Sequence, residues 1–266
     1  MAGATGDSAE KFWGQKCFVL ITGGSRGIGR VIAIEFAKKL AKDSVLVITG
    51  RNATGLQDTK CMIESGAEHV KVVTEPMDHS TATYQDYEEL FSRTSKYVED
   101  AEKAILVHNA ATIGDISKYA ALYDNSKAIG DYLYLNLTSV MLLTSAFLKY
   151  YRRGSTTSRV IVNITSLAGR KPIPGLGFYC TGKAAREMYL NVLAVEDPTV
   201  KILHYSPGPV NTTMADMSRG VEELRKIGEG FRANMLEPET TVAKLVKILD
   251  RGDFVSGACI DYFDCL

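Results

Sequence analysis

The sequence lacks three features that would identify a partner at once: a long apolar run, an excess of one charge, and a cysteine pattern. No segment of the 266 residues is apolar for long enough to cross a membrane, and residues 1–15 lack the continuous apolar stretch of a secretory signal. The 31 Lys and Arg balance 31 Asp and Glu, so there is no basic footprint for nucleic acid or an anionic membrane. We therefore predict a cytoplasmic protein with a flexible segment at residues 1–15, and a small-molecule partner rather than a nucleic acid or a membrane.

The five cysteines show neither a Cys-x-x-Cys pair nor the Cys/His spacing of a metal site. We interpret them as reduced thiols and predict no metal. Internal repeats and Pro/Ser-rich linkers are lacking too. This favours a single domain over residues 1–266.

What the sequence does contain is an alternation of short β-branched runs with longer helical patterns. Parallel strands covered on both faces read as continuous apolar runs, so the alternation predicts an α/β fold. We expect a Rossmann-like, doubly wound parallel sheet of about seven strands with helices on both faces. The polar stretch 212–236 interrupts the pattern, and we predict that it is a flap over a substrate. The predicted strands are 18–22, 45–49, 70–73, 104–108, 160–164, 200–205 and 258–263, and the predicted helices are 29–42, 84–99, 131–150, 179–196 and 240–250.

A glycine-rich loop follows the first predicted strand and precedes a helical pattern. Gly23 permits a tight turn, Gly27 lets the backbone approach a pyrophosphate, and Gly29 lets the helix pack closely on the sheet. A purely structural turn is the alternative, but the position between strand and helix favours a dinucleotide site. We assign to this cofactor-binding loop Gly23, Gly24, Ser25, Arg26, Gly27, Ile28 and Gly29.

The second strand is followed by Arg51 and Asn52, where an NAD-specific fold usually places a carboxylate for the ribose 2′-hydroxyl. Arg51, helped by Arg26, offers forked cationic donors that suit a 2′-phosphate. Both arginines could instead be solvated surface residues. Their positions favour NADPH/NADP+ as the cofactor, with Asn52 as a further contact.

Two later strand ends reach the same edge of the predicted sheet. Asp78 and His79 follow the third strand, and Asn109 and Ala110 follow the fourth. Asp78 could accept a hydrogen bond from the adenine amino group, or it could be a helix N-cap. We include all four residues in the predicted cofactor site.

Tyr179 and Lys183 are four residues apart at the start of a helical pattern, so they share one helix face. Ser166 ends the preceding strand. Tyr123 and Lys127 have the same spacing without a preceding strand-end serine, and we interpret that second pair as surface residues. The Lys183 ammonium is expected to lower the pKa of the Tyr179 hydroxyl from about 10.

The order TGGSRGIG, HNAA, Asn136, Ser166, Tyr179-x-x-x-Lys183 and PGPV resembles the short-chain dehydrogenase/reductase family over nearly the whole chain. The resemblance implies reduction of a ketone: Ser166 binds the carbonyl oxygen, Tyr179 donates a proton, Lys183 holds the nicotinamide ribose, and Asn136 seats a water. It also implies a homodimer built on the helices around 131–150 and 179–196. After PGPV it implies a nicotinamide-binding segment formed by Val210, Asn211, Thr212, Thr213, Met214 and Ala215.

Within that family the closer resemblance is to its pterin-reducing members, through YCTGKAAR and the tail SGACIDYFD. It implies that Asp261 anchors a pterin through two parallel hydrogen bonds, with Ser166 and Leu167 beside the reacting side chain and Gly208 against the ring. Ala111 departs from the usual glycine and adds a methyl group to the ribose wall. The alternatives are a broader reductase of dicarbonyls or quinones, a catalytically silent NADPH-binding sensor or scaffold, and, for Asp261, a solvated edge-strand carboxylate.

Overall fold

A seven-stranded parallel sheet forms the centre of the computed structural model, which describes residues 12–98, 100–152, 155–217 and 235–265. Its spatial order is β3-β2-β1-β4-β5-β6-β7, so the order reverses between β1 and β4. This confirms the predicted doubly wound sheet. The strands are β1 Cys17–Thr22, β2 Val45–Gly50, β3 Lys71–Pro76, β4 Lys103–His108, β5 Ser158–Ile164, β6 Val200–Ser206 and β7 Ala258–Asp261.

Helices cover both faces of this sheet. One apolar cluster joins α1, α2 and α8 to one face, and a second joins α3, α5 and α6 to the other. Strands β1, β2 and β4 are buried along their whole lengths because both faces are covered. The helices are α1 Gly27–Ala37, α2 Ala53–Glu64, α3 Tyr84–Thr94, α4 Ser126–Leu133, α5 Ser139–Tyr150, α6 Gly177–Glu196, α7 Thr213–Met217 and α8 Pro238–Arg251.

Local sequence signals fix several helix ends. Thr83 and Asp86 form a reciprocal capping box at the start of α3. Pro238 opens α8, where a missing N–H costs nothing, and Gly252 ends it in the left-handed region with φ +64°. The first two follow connections that leave the carboxyl edge of the sheet, whereas Gly252 begins the connection back to the amino end of β7.

The structure corrects two predicted boundaries. Phe12 is buried and Trp13 packs edge-on against Phe36, so the predicted flexible segment 1–15 is wrong at its C-terminal end; residues 1–11 lie outside the described residues. The helix predicted over 131–150 is interrupted by a π-helical turn at Tyr134–Thr138. Most of the predicted flap, residues 218–234, also lies outside the described residues.

Candidate active site

The glycine loop adopts the close-packed geometry that its sequence predicts. Gly23 has φ +71°, and a Cβ there would lie 2.8 Å from Asn109 Nδ2. A Cβ on Gly29 would overlap the Gly23 carbonyl, so only glycine fits at the start of α1. Gly27 has φ +56° and open space above it, with Thr212 Cγ2 as its nearest neighbour at 3.7 Å. Gly24 packs instead on Ile48, which gives it a structural place in the loop.

Arg30 and Thr59, which sequence reasoning missed, hold this loop from behind. Arg30 donates to the Ser25 carbonyl at 2.5 Å and to Thr59 Oγ1 at 2.9 Å. Thr59 Oγ1 in turn donates to the Gly24 carbonyl at 3.0 Å. The signal that could have identified Arg30 is a cation one turn into the helix that follows a glycine loop.

Arg26 and Arg51 are exposed at one end of the cleft, and both line it. Asn52 lines it as well, but its side chain caps α2 by accepting from Gly55 N at 3.0 Å. The two guanidinium groups therefore form the cationic end of the cleft.

Asp78 and His79 line the same end. Asp78 Oδ1 accepts from Ser80 N at 2.9 Å and Ser80 Oγ at 2.7 Å, so Asp78 caps a turn, whereas Thr83 caps α3. The ring nitrogens of His79 are engaged by Thr49 Oγ1 at 2.8 Å and the Tyr87 hydroxyl at 2.9 Å. Only the backbone of His79 is left to face a ligand.

The reversal of strand order places Asn109 and Ala110 beside the glycine loop. Asn109 Nδ2 donates to the Thr22 carbonyl at 2.9 Å, and Thr22 Oγ1 accepts from Asn109 N and Ala110 N, both at 3.0 Å. This buried threonine, also missed from sequence, ties β1 to the segment after β4. In doubly wound sheets, ligands bind at such a crevice.

The cleft of about 480 Å³ continues from this crevice along the carboxyl edge of the sheet. Val210 is buried, and Asn211 N donates to the Leu236 carbonyl at 2.9 Å, so neither lines the cleft. Ala215 lies in α7, outside the lining. At the far end the lining residues are Ala111, Leu135, Ile164, Thr165, Tyr179, Lys183, Pro207, Thr212, Thr213 and Met214.

Tyr179 and Lys183 lie on the first turns of α6, as predicted. Lys183 is buried; its Nζ donates to the Ile164 carbonyl at 2.7 Å and lies 5.5 Å from the centre of the Tyr179 ring. Ser166, at the end of β5, caps a 3₁₀ turn at Leu167–Gly169 by accepting from Ala168 N at 3.2 Å. Two helix residues and one strand end therefore meet at the far end of the cleft.

The predicted direction of the Tyr179 shift is wrong. Burial raises the pKa of the Tyr179 hydroxyl, although the hydrogen bond with Ser166 and the charge of Arg186 each lower it. Burial also lowers the pKa of Lys183 well below its usual value. A buried ammonium is itself destabilised, so it is a weaker source of positive charge than the spacing alone suggested.

Asn136 lies in the π-helical turn and is buried, 2% exposed. Its Oδ1 accepts from Thr112 N at 3.1 Å, and its Nδ2 donates to the Tyr132 carbonyl at 3.0 Å. π-Helical turns are rare and often mark functional sites. Here the turn fastens Asn136 to the loop that follows β4.

The second Tyr-x-x-x-Lys pair has no place in the cleft. Lys127 is exposed and pairs with Asp131, as a surface residue should. Tyr123 is half-buried: its ring stacks on Phe178 at 4.3 Å, and its hydroxyl accepts from Phe178 N at 3.2 Å. Tyr132 stacks on Phe178 from the other side at 4.8 Å, so three rings clamp the turn that carries Tyr179.

Asp261 ends β7, beside the turn that follows Ser166. Its Oδ2 accepts from Ser206 Oγ at 2.5 Å and lies 4.0 Å from Arg170 Nη2. Its Oδ1 accepts from Phe263 N at 3.1 Å. The carboxylate is 16% exposed and held in place, rather than a freely solvated group.

Gly208 follows β6 and Leu167 follows β5, at the same edge of the sheet as Asp261. Gly208 has φ +73°, and a Cβ there would lie 3.3 Å from Phe263 Cε2. Leu167, on the turn that leads to Arg170, is 36% exposed. Of the predicted substrate residues only Tyr179 lines the cleft, and the others lie at the same edge of the sheet outside its lining: Ser166, Leu167, Gly208 and Asp261.

These observations test whether a dinucleotide fits the cleft. Gly23 and Gly29 form a cradle that any Cβ would fill, and the left-handed Gly27 leaves space over the N-terminus of α1. Arg26 and Arg51 supply cations at one end, with Tyr179 at the other. The residues fit. Within the described part of the chain, no group of His, Cys, Asp and Glu is placed to hold a metal ion, and no helix is long and apolar enough to span a membrane.

Known proteins share this arrangement. The family model for short chain dehydrogenase matches residues 17–222. The chain belongs to the short-chain dehydrogenase family. It is therefore an oxidoreductase of the carbonyl-reductase type that binds a nicotinamide cofactor.

Individual relatives agree with the predicted resemblance. The chain is 34% identical to sepiapterin reductase of Mus musculus over 252 residues, which span 92% of this chain and 96% of that protein. It is 28% identical to a benzil reductase of Bacillus cereus over 91% of this chain and 98% of that protein. A short chain dehydrogenase structure from Shigella flexneri, complexed with NADP, has a TM-score of 0.78 at 22% identity and covers 96% of this chain and 100% of that one.

Proposed function

We propose that the protein reduces the side-chain ketones of 6-substituted pterins, such as sepiapterin and 6-pyruvoyl-tetrahydropterin, with NADPH, in tetrahydrobiopterin formation. The observation that carries the proposal is the carboxylate of Asp261, held by Ser206 and 4.0 Å from Arg170, which ends the turn that follows Ser166. A carboxylate can accept two parallel hydrogen bonds from a 2-amino-pyrimidinone edge. The 34% identity to a sepiapterin reductase supports it.

The cofactor is proposed to be NADPH because of Arg51 and Arg26. Both line the cleft where the adenosine ribose of a bound dinucleotide would lie, and no carboxylate follows β2 at that point. When bound, the reduced nicotinamide supplies a hydride to the carbonyl carbon of the substrate.

The chain's own residues handle the proton. Ser166 holds the carbonyl oxygen, and the Tyr179 hydroxyl donates a proton to it. Lys183 has three donors and uses one on Ile164, which leaves two for the nicotinamide ribose and a water. Asn136, fastened by Thr112 and Tyr132, positions that water.

A broader reductase of dicarbonyls is the second candidate. It is supported by the 28% identity to a benzil reductase over nearly the whole chain. It needs the same Ser166, Tyr179 and Lys183 but not the Asp261 carboxylate.

One kinetic experiment separates these candidates. NADPH oxidation is measured with sepiapterin and with benzil for the parent chain, Tyr179→Phe and Asp261→Asn. Tyr179→Phe should lose nearly all turnover of both. Asp261→Asn should lose roughly 10- to 100-fold in kcat/KM for sepiapterin, the value of charge-assisted hydrogen bonds, and little for benzil.

Each other outcome has a defined meaning. Equal losses on both substrates in Asp261→Asn would contradict the pterin anchor, and turnover of benzil alone would favour the second candidate. A parent chain that binds NADPH but reduces neither substrate would favour the silent sensor or scaffold.

We further propose a homodimer. Met141 on α5 and Met188, Val192 and Val195 on α6 are exposed by 36%, 65%, 47% and 81%. The last three follow helical spacing and form an apolar stripe. A second copy that packs α5 and α6 against this stripe would remove it from water.

A further inference from the structure

Arg186 is a buried cation on the same face of α6 as Tyr179 and Lys183. It follows Tyr179 by seven residues and Lys183 by three, so all three side chains point from one stripe of the helix. Its relative exposure is 0%, and it is the largest fully buried side chain among the described residues. Arginine is almost never fully buried without a partner.

Its partners are two backbone carbonyls at the end of β4. Arg186 Nη2 donates to the His108 carbonyl at 3.1 Å, and Nη1 donates to the Ala110 carbonyl at 3.2 Å. Arg186 Nε is buried without a hydrogen bond, and no carboxylate of the described residues pairs with the guanidinium. His108 and Ala110 flank Asn109, the residue that closes the glycine loop. The guanidinium therefore holds the segment 108–110. We call this segment the cofactor wall because Asn109 and Ala110 line the cleft.

Arg186 keeps its positive charge at neutral pH, whereas burial disfavours the charged form of Lys183. Burial lowers the pKa of Arg186 to about 10, so it remains protonated at neutral pH, and burial lowers the pKa of Lys183 well below its usual value. The titratable groups that face Arg186 are Tyr132 from α4, Tyr179 and Lys183 from α6, His108 from β4 and His204 from β6.

The surroundings of Tyr179 leave few competing charges. Ser166 hydrogen-bonds its hydroxyl, and Cys180, Arg186 and Tyr132 act on it electrostatically. Lys183 Nζ lies 5.5 Å from the centre of the Tyr179 ring. The apolar residues that pack in one cluster with Tyr179 come from the loops around the cleft and from α7. They are Ile113, Ile116, Ile173, Leu176 and Met214. In such a weakly screened setting a fixed charge acts strongly.

We propose that Arg186 is a positioning residue of the active site, which holds the cofactor wall through the His108 and Ala110 carbonyls and stabilises the phenolate of Tyr179 with its positive charge. The inference rests on the proposed role of Tyr179 as proton donor, but not on the identity of the ketone.

The two roles predict different effects of charge and of hydrogen bonding. A nearby cation favours phenolate, so removing it must raise the pKa of Tyr179. The alkaline decline of kcat/KM for ketone reduction, where Tyr179 loses its proton, should then move to higher pH. Arg186→Gln removes the charge and keeps a donor for one carbonyl, whereas Arg186→Met removes the charge and every donor.

The experiment measures pH profiles of kcat/KM and NADPH affinity with whichever ketone the parent reduces. Arg186→Gln should shift the alkaline limb upward by about 1 pH unit. Arg186→Met should shift the limb by the same amount and bind NADPH roughly 2- to 10-fold more weakly than Arg186→Gln, the value of one hydrogen bond. The matched control is Arg159→Gln, another buried arginine, which pairs with Asp197 at the opposite edge of the sheet and should leave both quantities unchanged.

Several outcomes would overturn the inference. They are an Arg186→Gln variant that binds NADPH and keeps the parent limb, or an Arg186→Met variant that binds NADPH as tightly as Arg186→Gln does. If Arg186→Gln does not fold, an Arg186→Met variant that keeps the parent limb overturns the charge role. An alkaline limb that survives in the residual activity of Tyr179→Phe would instead refute the role of Tyr179.

Discussion

Acidification should destabilise the fold through histidines that it holds neutral. Burial lowers the pKa of His79 to about 4 from 6.5, and burial lowers the pKa of His204 to about 4 as well. His108, which is fully buried, is shifted in the same direction. Each ring is a hydrogen-bonded neutral group in the native state and an ordinary imidazole in the unfolded chain.

The size of the effect follows from the two pKa values of His79. Between pH 6.5 and pH 4 the unfolded chain protonates His79 and the native state does not. The contribution of His79 to the free energy of unfolding is therefore fully present above pH 6.5 and is lost progressively as the pH falls towards 4. Between pH 7 and pH 5 this amounts to about 2 kcal/mol for one such histidine. A domain is stable by about 5–15 kcal/mol, so two or three such rings decide where it unfolds in acid.

Urea unfolding at pH 7, 6 and 5 measures this directly for the parent and for His79→Gln. The variant should be less stable at pH 7, because the hydrogen bonds with Thr49 and Tyr87 change, but it should lose about 2 kcal/mol less than the parent between pH 7 and pH 5. The parent's loss between pH 7 and pH 5 gives the reference slope. A His79→Gln variant with that same slope would refute the argument.

Three further perturbations follow from the site. Arg51→Gln should lower kcat/KM for NADPH roughly 10- to 100-fold and leave kcat/KM for NADH unchanged. The control is Arg93→Gln, at an exposed arginine paired with Glu75, which should leave both values unchanged. Equal losses with the two cofactors would contradict the assignment of Arg51 to the 2′-phosphate. Gly29→Ala should weaken NADPH binding and destabilise the fold by about 1–3 kcal/mol, because a Cβ overlaps the Gly23 carbonyl. Gly66→Ala meets open space and should change neither quantity. Unfolding curves and cofactor titration measure both. Val192→Glu should convert the proposed dimer to a monomer in sedimentation, and an unchanged mass would count against the α6 stripe.

The strands could be predicted from sequence because each is a run of β-branched residues covered on both faces. Predicted strand 104–108 and observed β4 Lys103–His108 differ by one residue. Helix α2 was not predicted because only Gly55, Leu56, Thr59 and Ile63 of its residues are buried, which is a weak apolar pattern. The π-helical turn was not predicted either, since nothing in the periodicity of 131–150 marks one extra residue.

The candidate site divides in the same way. Tyr179, Lys183 and the glycine loop follow from spacing, because helix geometry fixes which residues share a face. The direction of the Tyr179 shift does not follow from spacing, because it depends on how much water the fold removes. Arg186 was passed over for a related reason: a sequence presents every arginine as a surface candidate, and only the packed structure reveals one that is fully buried.

The stack of Tyr123, Phe178 and Tyr132 has a consequence for protein engineering. Tyr123 belongs to the segment that connects β4 to α4, a place where loops are usually exchanged to change specificity. Here that segment is fastened to the turn of α6 that carries Tyr179, through a ring contact and the bond to Phe178 N. A loop graft that omits Tyr123 should therefore disturb the turn that carries Tyr179, the proposed proton donor, whereas a graft that retains Tyr123 should leave that turn in place.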